Sequence, residues 1–138
     1  MSFESLAVGM QAEMSRTISL EDIERFAQVT GDDNPVHIDD AAAARSRFGR
    51  RIAHGMLSAG LISAVLGTRL PGPGVIYLSQ SLRFTRPVFP GDVITATAEV
   101  LELVPAKRRV RLATTCRNQA GEVVLEGEAL VMVPDDSP

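Results

Sequence analysis

The spacing of apolar positions changes partway along the chain. In the first half they recur at intervals of three and four residues, and from Val75 onward at every second residue. Glu13 to Ile18 reads as a short strand. Ser19 then has the character of a helix N-cap, with Asp22 three residues on. Leu20, Ile23, Phe26 and Ala27 keep helical spacing, and Gly31 supplies the stop. Asp39 or Asp40 can cap a short alanine-rich helix through Ala41 to Arg45. Arg47 to Ile52 is basic and is expected to be exposed. Gly55 to Leu66 is apolar on nearly every face, which predicts a helix surrounded by protein. Gly67 and Pro71 end it, and Pro71 to Gly74 is a turn.

In the second half, Val75 to Phe84 is strand-like, and Pro87 to Asp92, with two prolines and a glycine, is a break. Ile94, Ala96, Ala98 and Val100 alternate with Thr95, Thr97 and Glu99. Val110, Leu112, Thr114 and Cys116 alternate with Arg109, Arg111, Thr115 and Arg117. Asn118 to Gly121 is a hairpin turn, and Val123 to Val133 the last strand. One all-round apolar helix followed by four long strands predicts an α+β fold, a single curved antiparallel sheet wrapped around that helix. Residues 134–138 read as a loose polar tail.

The 138 residues suit one domain, 1–138, with no internal repeat. A net charge of −3 gives no reason to expect nucleic acid as a partner. Cys116 is the single cysteine, so no internal disulfide forms. It reads as a small apolar residue on a strand, consistent with a reducing cytoplasm. The first ten residues carry no basic, apolar leader. The most apolar run, Gly55 to Leu70, falls short of the roughly 20 residues of a membrane span. A cytoplasmic protein without membrane attachment is expected.

The candidate chemistry is concentrated in Gly31-Asp32-Asp33-Asn34-Pro35-Val36-His37, followed by Ala53-His54-Gly55-Met56. Asp32 and His37 are five residues apart, a spacing that a helix would put on different faces. Pro35 disfavours helix at Asn34, so the segment is expected to be a loop able to fold both side chains toward one point. Taken singly, each residue has a plainer reading. Asp32 could make an Asx turn, Asn34 could shape the loop, and His37 could be structural. His54 could contact a substrate or simply pack. Ser63 could bond the carbonyl of Ala59 one helical turn earlier.

Together these residues resemble the motif of the MaoC-like (R)-specific enoyl-CoA hydratases of the hotdog fold: an Asp, Asn-Pro-hydrophobic-His, then His-Gly-Met. Leu70-Pro71-Gly72, Ile76-Tyr77-Leu78 and Phe84 through Pro87-Val88-Phe89-Pro90-Gly91-Asp92 extend the likeness, which runs from Leu6 to Val133. In size the chain is similar to bacterial hydratases that supply polyhydroxyalkanoate monomers. The resemblance implies reversible syn hydration of a trans-2-enoyl-CoA to the (3R)-3-hydroxyacyl-CoA. It makes Asp32 the general base, His37 the holder of the water and proton relay, and the Gly55 N–H the donor to the thioester oxygen. It also implies an acyl pocket involving Ser63, Leu66 and Val131, with Asn34 and His54 near substrate. No cofactor or metal is expected, CoA being part of the substrate, and a homodimer is. Arg83, Arg86, Lys107, Arg108 and Arg109 are candidates for the CoA phosphates. Other readings are a carrier-protein thioester dehydratase of fatty-acid synthesis, a thioesterase, and a non-catalytic acyl-CoA-binding module.

Overall fold

A computed structural model describes residues 2–134, so the expected tail falls outside the described residues except for Pro134. Six strands form one antiparallel sheet: β1 (Gln11–Thr17), β2 (Ile76–Gln80), β3 (Arg83–Phe84), β4 (Val93–Val104), β5 (Arg109–Arg117) and β6 (Val123–Met132). Among the described residues four α-helical segments accompany them, α1 (Leu20–Thr30), α2 (Pro35–Ile38), α3 (Asp40–Ala44) and α4 (Gly55–Thr68), with short 3-10 turns at Phe3–Ser5 and Pro105–Lys107. The strand order is β1-β4-β5-β6-β2, with β3 also pairing with β6. The expected α+β arrangement, a sheet folded over a central helix, is present.

The period-two alternation on β4 and β5 sets which side meets α4. Ile94, Ala96, Ala98 and Val100, with Val110, Leu112, Thr114 and Cys116, are all buried. The small side chains of Ala96 and Ala98 leave room for α4, which packs chiefly on β4. From α4, Ile62, Val65 and Leu66 are fully buried against that layer. Side chains of this kind stabilise the fold by roughly 1.5–3 kcal/mol each when fully withdrawn from water. Cys116 belongs to this layer, and burial pushes its thiol up to about 12, so it behaves as an apolar side chain.

Four details differ from the sequence-based expectation. The Asp32–His37 segment contains a helical turn, α2. Pro35 occupies its first position, where a missing N–H costs nothing. Arg51 is buried, not exposed. The stretch 75–84 is two strands, interrupted at Ser81 and Leu82, both running along β6. Finally, α4 is not enclosed all round: Met56, Gly60 and Ser63 are exposed along one face. Among the described residues no helix is long and apolar enough to cross a membrane.

Candidate active site

The site begins where α1 stops. Ser19 and Asp22 form a reciprocal capping box at its start, and Gly31 ends it in the left-handed conformation at φ 80°. The Thr30 hydroxyl donates to the carbonyl of Phe26 and accepts the N–H of Asp32 at 3.1 Å. Asp32 in turn accepts the N–H of Asn34 through Oδ1 at 3.3 Å, and Asn34 accepts the N–H of Val36, capping α2. The Asx turn at Asp32 is therefore real. It aims the exposed carboxylate and leaves Oδ2 free of that bond.

α2 carries His37, whose side chain is almost wholly buried. Its Nδ1 lies 2.7 Å from the main-chain oxygen of Ile52. A carbonyl oxygen can only accept, so Nδ1 bears the proton and Nε2 is left with its lone pair. His54 has the opposite tautomer by the same logic: its Nε2–H donates to the carbonyl of Asp32 at 2.9 Å. Its Nδ1 is buried with no partner. The two imidazoles stack with centroids 3.8 Å apart, and Phe26 packs on His54 at 4.7 Å. Burial lowers the His37 pKa from its ordinary value; repulsion from His54 adds to this, while the Ile52 carbonyl and the Asp32 carboxylate act the other way.

His54 is also the N-cap residue of α4, and its side chain makes no capping bond. The amides of Gly55 and Met56 therefore open the helix without intrahelical acceptors, at its positive end. Gly55 is in addition a site of close approach. A Cβ there would stand 2.5 Å from the ring of Phe84.

Asp32, His37, His54 and Gly55 thus line one cleft, together with Phe26, Thr30 and Met56. Two grooves run from it. One, of about 420 Å³, shares Phe26 and Met56 with the cleft and continues past Gly60 and Ser63 of α4 and Tyr77 and Leu78 of β2. The other shares Gly55 and continues past Phe84 to Arg47 and Arg86. Of the sequence candidates, Ser63 is on the wall of the first groove. Leu66 and Val131 are fully buried core residues and are not on that wall. Asn34 shapes the loop and does not line the cleft. Among the basic candidates, Arg86 lines the second groove while pairing with Glu122 at 3.1 Å, and Arg108 pairs with Glu4 and with the carbonyl of Val133 away from it. Phe26 was legible only as a core position on α1, and Arg47 only as part of a basic run.

Single ligand atoms of Asp32, His37 and His54 lie within 4.8 Å of one another, a distance that a metal ion could bridge. Two of the four ring nitrogens are already committed to carbonyls and the rings are stacked face to face, which suits a hydrogen-bonded acid–base site better than a tetrahedral donor set.

The model of the MaoC-like domain matches residues 4–122. The 3-hydroxybutyryl-CoA dehydratase of Methylorubrum extorquens is 56% identical over 132 residues, covering 96% of this chain and 83% of that protein. The (R)-specific enoyl-CoA hydratase of Rhodospirillum rubrum is also 56% identical over 132 residues, covering 96% of this chain and 91% of that protein. The solved (R)-hydratase from A. caviae involved in PHA biosynthesis superposes with a TM-score of 0.92 at 45% identity, covering 95% of this chain and 99% of that one.

Proposed function

The chain belongs to the MaoC-like domain family with the hotdog fold, and on that premise we infer that it is an (R)-specific enoyl-CoA hydratase, adding water reversibly to a trans-2-enoyl-CoA. Relatives at this level of identity are hydratases and dehydratases of 3-hydroxyacyl thioesters, the two directions of one hydro-lyase reaction.

The observation that carries the assignment of roles is the tautomer of His37. Water must lose a proton as its oxygen attacks C3. An Nε2 lone pair beside the Asp32 carboxylate gives two acceptors for the two hydrogens of one water, which orients its oxygen outward. Asp32 takes the proton, and the Asp32–His37 pair returns it to C2 on the same side of the double bond, so addition is syn. Such acid–base help supplies roughly 10²–10⁴-fold. As the bond forms, charge moves to the thioester oxygen. The Gly55 amide at the start of α4 is the donor for it, an interaction worth on the order of 10²–10³ in rate where comparable donors have been removed. The reaction is redox-neutral and adds only the elements of water, so it requires no cofactor beyond the CoA of its substrate.

The two grooves suit the two ends of such a substrate. The apolar groove beside α4 takes the acyl chain. The groove leading from Gly55 to Arg47 and Arg86 takes the pantetheine arm, with guanidinium groups toward the phosphates. Ile76, Tyr77 and Leu78 are exposed apolar residues on the edge strand β2. They support a homodimer in which a second copy covers that edge. A cytoplasmic supplier of (3R)-hydroxyacyl-CoA for polyhydroxyalkanoate synthesis is the role we favour.

The test follows loss of enoyl-thioester absorbance with crotonyl-CoA, using an (R)-specific dehydrogenase to identify the product and Asp32→Asn alongside. Rapid loss giving the (R)-alcohol, abolished in the variant, is expected. Activity restricted to carrier-protein thioesters would move the enzyme to fatty-acid synthesis. Release of free thiol, or binding without turnover, would overturn the hydratase reading.

A further inference from the structure

We propose that Arg51 is a positioning residue that holds His37 in its productive orientation and tautomer by clamping α2 to the segment leading into α4; this rests on the hydratase reading above. Arg51 lies in a basic run whose pattern predicts exposure, yet it is among the few buried charged residues, with 8% of its surface exposed. A buried guanidinium is costly unless its donors are used. Its acidic neighbours are poor compensation: Glu24 stands at 3.5 Å and Asp40 at 3.9 Å. The close bond runs elsewhere. Arg51 Nε donates to the main-chain carbonyl of His37 at 2.7 Å.

That carbonyl belongs to the end of a single helical turn, where carbonyls have no helical partner and a cation is favourable. The next residue completes the clamp. Ile52 donates its N–H to the carbonyl of Val36 at 3.2 Å and accepts His37 Nδ1–H at 2.7 Å. Ala53 then anchors the segment by donating to the carbonyl of Val88 at 2.7 Å. His54 and Gly55 follow directly. Residues 51 and 52 therefore grip the main chain and the ring of His37 at once, on the segment that also carries the oxyanion donor. Arg51 does not line the catalytic cleft. It acts on the reaction only through where His37 sits.

Arg51→Met removes the donor while keeping much of the side-chain bulk. The expected result is a folded enzyme whose kcat with crotonyl-CoA falls roughly 10- to 100-fold, the scale of a small misplacement of a catalytic group, with KM little changed. Added methylguanidinium should restore part of kcat in Arg51→Ala. In a His37→Ala background, Arg51→Met should cost nothing further, because the group it positions is gone. Arg51→Lys, which keeps the charge but not the Nε–H, serves if the neutral variants do not fold. It should show the same kcat loss and the same silence without His37. An undiminished kcat, or an equal loss in the His37→Ala background, overturns the proposal. Nitrogen NMR of the unmodified protein tests the clamp independently of any variant or turnover. A His37 ring protonated at Nε2 refutes it, whereas an absence of hydratase turnover with Nδ1 protonated refutes only the hydratase reading.

Discussion

The ring of His37 and the main-chain oxygen of Ile52 are 2.7 Å apart, and this bond determines what His37 can offer a substrate. With Nδ1–H committed, the free nitrogen is an acceptor, suited to holding water, and protonation would remove that function. Burial works against protonation and lowers the His37 pKa from the ordinary 6.5. The expected outcome in a proton NMR titration is a His37 midpoint below 6.5, with the neutral ring retained at mildly acid pH. Between the folded and unfolded midpoints the unfolded chain binds more protons, so stability rises with pH there. His37 contributes its full share above the unfolded midpoint and loses it as pH falls toward the folded one. Urea melts should therefore show a smaller loss across that window in His37→Gln than in the unmodified protein. A midpoint at or above 6.5 would contradict the buried, Nδ1-protonated ring.

Gly55 and Phe84 make a second coupled pair. A Cβ on residue 55 would fall 2.5 Å from the Phe84 ring. That ring is half exposed and can swing aside, so overpacking should cost stability at the low end of the usual range, about 1 kcal/mol. The displaced ring would swing within the groove assigned to the pantetheine arm. Gly55→Ala keeps the N–H donor but sets a methyl against the thioester, and a misplacement of that kind should lose rate on the order of 10²-fold with only a small fall in Tm. Combining it with Phe84→Ala should return the Tm loss and not the rate, because the added methyl still crowds the thioester. A full return of rate in the double variant would mean that the glycine serves only Phe84.

These pairs mark the limit of what the amino-acid pattern could convey. The inward residues of β4 and β5 were legible because alternation along a strand is a local property, and Ser19, Asp22 and Gly31 announced both ends of α1 for the same reason. Asp32, His37 and Gly55 were legible as a motif, and the structure brings them into one cleft. Arg51 was not, because its close partner is a main-chain carbonyl fourteen residues away, which has no residue-type signature. The open face of α4 was hidden too. Met56 and Gly60 carry no polar mark that separates a groove wall from a core contact. The break between β2 and β3 depends on a residue of another strand, Gly127, and could not be read from residues 75–84 alone.

Gly127 on β6 lies against the main chain of Ser81 at that break. A Cβ at residue 127 would come within 1.8 Å of the Ser81 carbonyl oxygen, a contact with backbone that no rotamer change relieves. Ser81 is also tied to β6 by its own N–H to the carbonyl of Glu128 and by its hydroxyl to the N–H of Glu128, both at 2.9 Å. Gly127→Ala must push this crossing apart. It should cost on the order of 4 kcal/mol or more, among the largest single-substitution effects. Urea denaturation of the purified variant, or its failure to accumulate as folded protein, checks this. A loss under about 1 kcal/mol would show that β2 and β3 adjust freely against β6.

Gly60 offers the converse case, a glycine with room beside it. It sits within α4 on the wall of the acyl groove, and apart from its chain neighbours and the local backbone of its own helix no heavy atom of the described residues lies within 4 Å of where its Cβ would be. A non-glycine residue there gains helix propensity, about 1 kcal/mol for a good helix former, and projects into the space assigned to the acyl chain. Gly60→Leu should therefore keep or raise Tm while shortening the groove. Turnover of crotonyl-CoA should change little. Longer enoyl-CoA substrates should lose kcat/KM progressively, by roughly 10-fold or more for each methylene that no longer fits, on the scale of 1–3 kcal/mol per methylene. Equal losses at every chain length would place the acyl chain elsewhere, whereas a length-dependent loss would assign it to the groove between α4 and β2.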